Sequence, residues 1–330
     1  MAAAPSPTSR RVIGVDLGGT KLLAGVVDDQ LEVHDRVHRV VTGMSDKAVI
    51  EAIVGSTLEL LERNPDVAAA GFGIPCLIDQ RTGHAVMCVN LPLADVPFRD
   101  VMSERLGIPV FIDNDANATT LAEVRFGAAR GARDVVGLTI GTGIGGGLVL
   151  GGRLYRGFAG AAGELGHMVI DQDGPRCQGA CPNNGCLEAF ASGNAIGREG
   201  TDAAEQEPDS DLGRAAKAGD EITGEYVTQL ALGGDELARM VLGQVGRRLG
   251  VGLASFVNMF NPEVIVIGGG AMAAGDLLLE PARAEMKARA LRPSRDQVRV
   301  VAARFGNDAG MLGAGVLALD ELGMLAVDEV

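Results

Sequence analysis

The stretch Val12-Ile13-Gly14-Val15-Asp16-Leu17-Gly18-Gly19-Thr20-Lys21-Leu22-Leu23-Ala24-Gly25-Val26-Val27 decides how this 330-residue chain folds. The run Val12 to Asp16 reads as a strand, Gly18-Gly19 as a tight turn, and Leu22 to Val27 as the returning strand. The order recurs later, with Val135 to Ile140, then Gly141-Thr142-Gly143, then Gly145 to Leu150. Working outward from the first turn, a third strand is expected over Val33 to Val41. A helix follows over Ser45 to Glu62, with Ser45 as its N-cap. Next come a buried strand at Ala68 to Ile74, a helix at Phe98 to Leu106 and a strand at Val110 to Ile112. Asn114 or Asp115 then caps a helix reaching about Phe126. The second half has a long helix from Asp235 to Phe260, stopped by Asn261-Pro262, and a buried strand Val264 to Ile267 entering Gly268-Gly269-Gly270. A further helix, a strand Val298 to Ala302 and a last helix from about Ala309 complete it. Two copies of one βββαβαβα plan make an α/β protein duplicated at the scale of a domain. The polar stretch 198–233 is expected to be helical surface carrying no chemistry.

Composition narrows the function. The net charge of -14 repels phosphate backbones and anionic membranes, and two Tyr without Trp offer little for stacking bases. Neither nucleic acid nor membrane is therefore an expected partner. An anionic substrate needs a local pocket built from backbone N–H groups. The uncharged run Val135 to Gly152 is 18 residues long, but eight are Gly, which suits two strands and a turn rather than a membrane helix. Residues 1–11 carry no apolar signal core and read as a disordered tail of a cytoplasmic protein. Of five Cys, three cluster at Cys177, Cys181 and Cys186, which suits a metal site in a reducing compartment better than a disulfide framework.

The turns carry the chemistry. Gly18 and Gly19 let N–H groups converge without a Cβ in the way, and Thr20 and Lys21 add donors for phosphate oxygens. Asp16, at the end of the strand, is placed to hold Mg²⁺ directly or through water. Gly141-Thr142-Gly143 stands at the matching place in the repeat, so the two turns read as two grips on one polyphosphate. Gly268-Gly269-Gly270, after a buried strand, permits close approach to a nucleoside. Neither turn matches the helix-based phosphate loop GxxxxGK[ST]. His167 with the three clustered Cys supplies one nitrogen and three sulfurs, a set for a closed, structural zinc site.

Taken in order, DLGGTK, Asn114-Asp115-Ala116-Asn117-Ala118, GTGIGGG, Gly163-Glu164-Leu165-Gly166-His167 and Gly185-Cys186-Leu187-Glu188 resemble the family of repressors, open reading frames and kinases, the ROK family, within the actin-like ATPase superfamily. The resemblance covers the chain from about Val12 to the segment Gly306 to Ala314. It implies a two-lobed actin-like ATPase fold, a duplicated RNase H-like design with a cleft between the lobes. One lobe would take 12–115 with a terminal helix at 309–330, and the other 116–308 with the zinc loop. It implies a kinase using ATP and Mg²⁺ on a hexose, with Asp115 as catalytic base. A carboxylate of pKa about 3.9 is ionised at neutral pH and needs no tuning for that task. Its plainer role is helix N-cap, which Asn114 can also fill, and Asp113 is the competing carboxylate. Asn90, Asn114, Asp115, Glu164, His167 and Glu188 would line the hexose pocket.

Two departures from the family pattern stand out. The family spaces its cysteines as CxCGxxGC, whereas here Gln178-Gly179-Ala180 separates Cys177 from Cys181, two residues more. Cys76 stands where the family has the last glycine of GIPG, a change expected to narrow the pocket. Cys88 has no motif around it. Glucose is the expected acceptor and ATP the donor. N-acetylmannosamine, fructose, mannose or allose are alternative acceptors, and polyphosphate an alternative donor. About ten residues precede the first phosphate strand, too few for the DNA-binding domain of the family's repressors. A non-catalytic sugar-binding protein is the other reading. The resemblance extends to a homodimer or homotetramer.

Overall fold

The computed structural model describes residues 10–88 and 93–325. Asn90 and residues 1–9 of the expected tail lie outside the described residues. In chain order the first part holds β1 (Val12–Leu17), β2 (Lys21–Val27), β3 (Val33–Val40), α1 (Asp46–Arg63), β4 (Ala70–Ile74), β5 (Cys76–Asp79), β6 (His84–Cys88), β7 (Ala94–Val96), α2 (Phe98–Leu106), β8 (Val110–Asn114) and α3 (Asp115–Arg125). The remainder holds β9 (Val135–Ile140), β10 (Ile144–Leu150), β11 (Arg153–Leu154), α4 (Leu187–Ala191), α5 (Gly193–Gln206), α6 (Asp211–Ala218), α7 (Gly224–Leu232), α8 (Glu236–Phe260), β12 (Val264–Gly268), α9 (Asp276–Arg289), α10 (Ser294–Gln297), β13 (Arg299–Ala302) and α11 (Ala309–Glu321).

The repeat is visible in the sheets. One runs β3-β2-β1-β4-β8 and the other β11-β10-β9-β12-β13. In the first, β1 pairs antiparallel with β2, while β1, β4 and β8 run parallel. In the second, β10 pairs antiparallel with β11, while β9, β12 and β13 run parallel. Parallel neighbours need a covering connection, which α1 and α2 provide in the first half and α8 and α9 in the second. The apolar run at 135–152 is two strands and a turn, as its glycines require.

Helix boundaries follow local chemistry. The Ser45 side chain accepts from the Ala48 N–H at the start of α1, and that of Asp235 does the same for Ala238 at the start of α8. Helix α8 ends where Asn261 takes a left-handed conformation, φ 47°, immediately before Pro262. The polar stretch 198–233 is helical, from the end of α5 through α7.

The chain divides into two compact units. One comprises the residues up to Arg133, Gly147–Gly163 and those from Asn307 onward; the other comprises Asp134–Gly146 and Glu164–Gly306. Helix α11 packs on β1, β4 and α3 in the first unit. Because α3 shares a packed face with α11, it stays with the first sheet, and the first unit runs on to Arg133, just past the stretch 115–131 where a boundary is expected. That unit's core includes Phe72 and Phe98 edge-on, ring centres 5.4 Å apart.

Strands β5, β6 and β7 form a small sheet, which the sequence did not reveal. The polar turn Asp79-Gln80-Arg81-Thr82-Gly83 separates strands too short to show their period. Register sets Cys76 opposite Cys88, and their sulfurs are bonded. The Cys76 side chain, expected to narrow a pocket, is bonded to Cys88, for which the sequence suggested no role.

Candidate active site

In the first unit the parallel strands end together. Asp16 is in register with Gly73, and Gly73 with Asp113, so three adjacent strand ends carry two carboxylates and the entry to α3. Ligands of open parallel sheets bind beyond such carboxyl ends. Asn114 closes β8 and caps α3, its side-chain oxygen accepting from the N–H groups of Ala116 at 2.9 Å and Asn117 at 3.3 Å. The cap is Asn114, and Asp115 occupies the first helical position, where its Oδ1 also accepts from Ala116 N–H at 3.0 Å.

Asp113 is not a rival base. It is fully buried, and its Oδ1 accepts from Asn114 N–H at 2.8 Å and from Asn117 Nδ2 at 2.9 Å. Its Oδ2 accepts from Arg156 Nε at 2.5 Å. With both oxygens bonded to protein donors, it holds the start of α3 in place. The partner Arg156 was not legible in sequence, since its loop lies 43 residues from Asp113.

Asp16 lies half-buried with its carboxyl against Gly310 at the start of α11, where a Cβ would overlap it. Burial first, and the nearby Asp115 second, push the Asp16 carboxyl up to about 7, against the pull of Lys21. Two carboxylates held this close could share a divalent cation, which would relieve both effects at once. Gly18 N–H donates to the Lys21 carbonyl at 2.8 Å, closing the turn that carries Gly19 and Thr20.

In the second unit the glycine elements come together. Gly268 is in register with Thr139, so Gly268-Gly269-Gly270 leaves β12 beside the Gly141-Thr142-Gly143 turn that leaves β9. The turn closes on itself by Gly141 N–H to Gly143 carbonyl at 2.9 Å. Glu188, buried at the start of α4, accepts from Ile144 N–H at 2.7 Å with Oε2, and a Cβ on Gly143 would overlap that carboxylate. Its Oε1 faces Cys177 Sγ at 3.7 Å. Glu188, expected at the sugar, thus stands between the cysteine cluster and the glycine turn.

His167, Cys177, Cys181 and Cys186 present ligand atoms that all lie within 4.8 Å of one another. Cys181 and Cys186 sulfurs are 3.8 Å apart, and Cys177 Sγ is 3.5 Å from His167 Nδ1. A tetrahedron with zinc–sulfur bonds of about 2.3 Å and a zinc–nitrogen bond of about 2.0 Å has edges of about 3.5–3.8 Å, so the donor set fits that ion. Cys177 belongs to the cluster despite the longer spacing. Burial pushes the Cys177 and Cys186 thiols up, so a cation is what would draw them to thiolates. His167 Nε2 lies 3.9 Å from Glu164 Oε2. Partial burial pushes the Glu164 carboxyl up, His167 draws it down, and Glu188 pushes it up again.

Residues 12–321 match the model of the ROK family. The chain belongs to the ROK family. Among its relatives is the glucokinase of Streptomyces coelicolor, 35% identical over 313 residues, covering 93% of this chain and 96% of that protein. The ROK family glucokinase of Streptomyces griseus, solved in complex with glucose and AMPPNP, superposes with a TM-score of 0.82 at 33% identity over 93% of this chain and 98% of that one. The xylose repressor of Caldicellulosiruptor bescii is 32% identical over 267 residues, 78% of this chain but 63% of the repressor. The strand order of the two sheets and the structural likeness to ROK glucokinases give this ROK protein the actin-like ATPase fold. No helix among the described residues is long and apolar enough to cross a membrane.

Proposed function

We propose that this ROK protein is an ATP-dependent glucokinase, moving the γ-phosphoryl group of MgATP to the 6-hydroxyl of glucose. The observation that carries the reading is the group at the strand ends of the first unit. Asp115 opens α3 beside Asp16, on a strand end fixed by the bond from Arg156 to the buried Asp113. The glucokinases to which the chain is similar over more than nine-tenths of its length supply the substrate.

The roles follow from chemistry. Asp115 accepts the hydroxyl proton as the new oxygen–phosphorus bond forms and the bond to ADP breaks. Asp16 would hold Mg²⁺, which when bound with ATP neutralises charge on the phosphate oxygens. Gly18, Gly19, Thr20 and Lys21 offer donors to phosphate, as do Gly141, Thr142 and Gly143, and Gly268-Gly269-Gly270 gives room for the nucleoside. Asn114, Glu164 and His167 present polar groups suited to ring hydroxyls. His167, Cys177, Cys181 and Cys186 would hold one structural zinc, fixing the loop that carries Glu188. In this reading the protein works in the cytoplasm as a homodimer or homotetramer, with exposed Leu232, Met240 and Met259 as apolar surface for assembly.

The test is one coupled assay over glucose, mannose, fructose, allose and N-acetylmannosamine, with ATP and with polyphosphate. Glucose with ATP should give the highest kcat/KM, and purified protein should carry one zinc per chain. Preference for another acceptor would move the substrate assignment. Absence of phosphoryl transfer to any sugar would favour a sugar-sensing role like that of the repressor relatives.

A further inference from the structure

We infer that Gln178 is a positioning residue for the nucleotide: it ties the cysteine loop to the Gly141-Thr142-Gly143 turn and so sets nucleotide affinity. The inference rests on the reading of that turn as a phosphate grip. Gln178 lies inside the longer Cys177–Cys181 spacing, where Cys181 N–H donates to the Gln178 carbonyl at 3.3 Å and curls the loop. Its side-chain Nε2 donates to the Thr142 carbonyl at 3.2 Å and to Ser192 Oγ at 3.2 Å. Its Oε1 accepts from Asn194 Nδ2 at 2.5 Å, which fixes which end of the amide faces Thr142. All four partners lie in one compact unit.

Gln178 completes a set of braces. Gly193 N–H donates to the Gly141 carbonyl at 2.7 Å, Gln178 donates to the Thr142 carbonyl, and the Glu188 carboxylate holds Ile144 N–H. The turn is thus held at 141, 142 and 144 from one side, by residues of the cysteine loop and of the α4–α5 segment. Both carbonyls are occupied by donors, which orients the intervening peptide planes so that their N–H groups point the other way, toward an anion. Thr142 is the exposed member of the turn, so its carbonyl has the least other support. Without the Gln178 amide that peptide plane is free to rotate, and a rotated plane presents an oxygen to phosphate in place of a hydrogen.

Gln178→Glu is the discriminating change. It keeps length and the bond from Asn194 but removes the donor to Thr142, leaving two oxygens facing each other. Gln178→Ala removes the tie without adding charge. Binding of a fluorescent non-hydrolysable ATP analogue and steady-state kinetics would be measured on full-length wild type and both variants, with zinc content and melting temperature recorded. The expected result is a Kd for the analogue and a KM for ATP raised about 5- to 10-fold in Gln178→Ala, the loss of one hydrogen bond, and more in Gln178→Glu. The KM for glucose, zinc content and melting temperature should stay at wild-type values. Unchanged nucleotide affinity in both variants would overturn the inference, as would a parallel loss of zinc and of affinity for both substrates. A wild-type protein that bound no nucleotide would overturn the kinase reading itself, and the inference with it.

Discussion

The two sheets share one strand plan and end in opposite chemistry. The first terminates in carboxylates, Asp16 on β1 and Asp113 on β8 with Asp115 just beyond, in register across Gly73. The second terminates in glycines, with 141–143 after β9 and 268–270 after β12. In the proposed reading the duplicated fold divides the work. Acid oxygens suit a cation and a proton, whereas bare backbone N–H groups suit phosphate. The bracing differs accordingly. A charged pair, Arg156 with the buried Asp113, steadies the acidic end, whereas the glycine end is held by neutral donors and the Glu188 carboxylate.

On that division the largest effect should come from the acidic end. Asp115→Asn should lower kcat by about 10²–10⁴-fold, the usual worth of a general base, while glucose binding by calorimetry stays within a few-fold. Near-normal kcat would remove Asp115 from the chemistry. Arg156→Leu should come next, costing about 3–5 kcal/mol in urea unfolding because it strands a buried carboxylate. Adding Asp113→Asn should recover part of that loss, whereas strictly additive losses would show that the pair is not coupled.

A smaller effect runs the other way. Asp16→Asn should raise the melting temperature of metal-free protein at pH 8. The folded state holds the Asp16 proton up to about 7, against 3.8 ordinarily. Its stabilising share is therefore complete below about pH 4 and is lost as pH rises through about 7. The gap between variant and wild type should widen over that window to roughly 2–4 kcal/mol. A gap independent of pH would mean that the carboxyl is not crowded by burial and Asp115.

Much of this was legible in the chain. The Gly-Gly-Thr and Gly-Thr-Gly turns were readable as glycines set between two apolar runs, and at Gly143 a Cβ would overlap the Glu188 carboxylate. Asn114 and Asp115 were readable because a strand-to-helix junction needs a cap. The grouping of Cys177 with His167, Cys181 and Cys186 was readable from residue type, although its spacing departed from the pattern. Other features were not. The β5-β6-β7 sheet hid in short strands, and the Cys76–Cys88 bond depended on its register. Which of two neighbouring carboxylates is structural depended on Arg156, a residue distant in sequence.

The sequence by itself determined the repeated plan, the glycine turns and the residue types at each strand end, because backbone conformation and hydrophobic period act over a few residues. Tertiary structure alone decided which groups are spent on one another. Asp113 is consumed by Arg156, Cys76 by Cys88, and the Thr142 carbonyl by Gln178. Such pairings join residues brought together by packing, and a hydrogen bond or ion pair forms only at a distance of a few ångströms that sequence order does not encode.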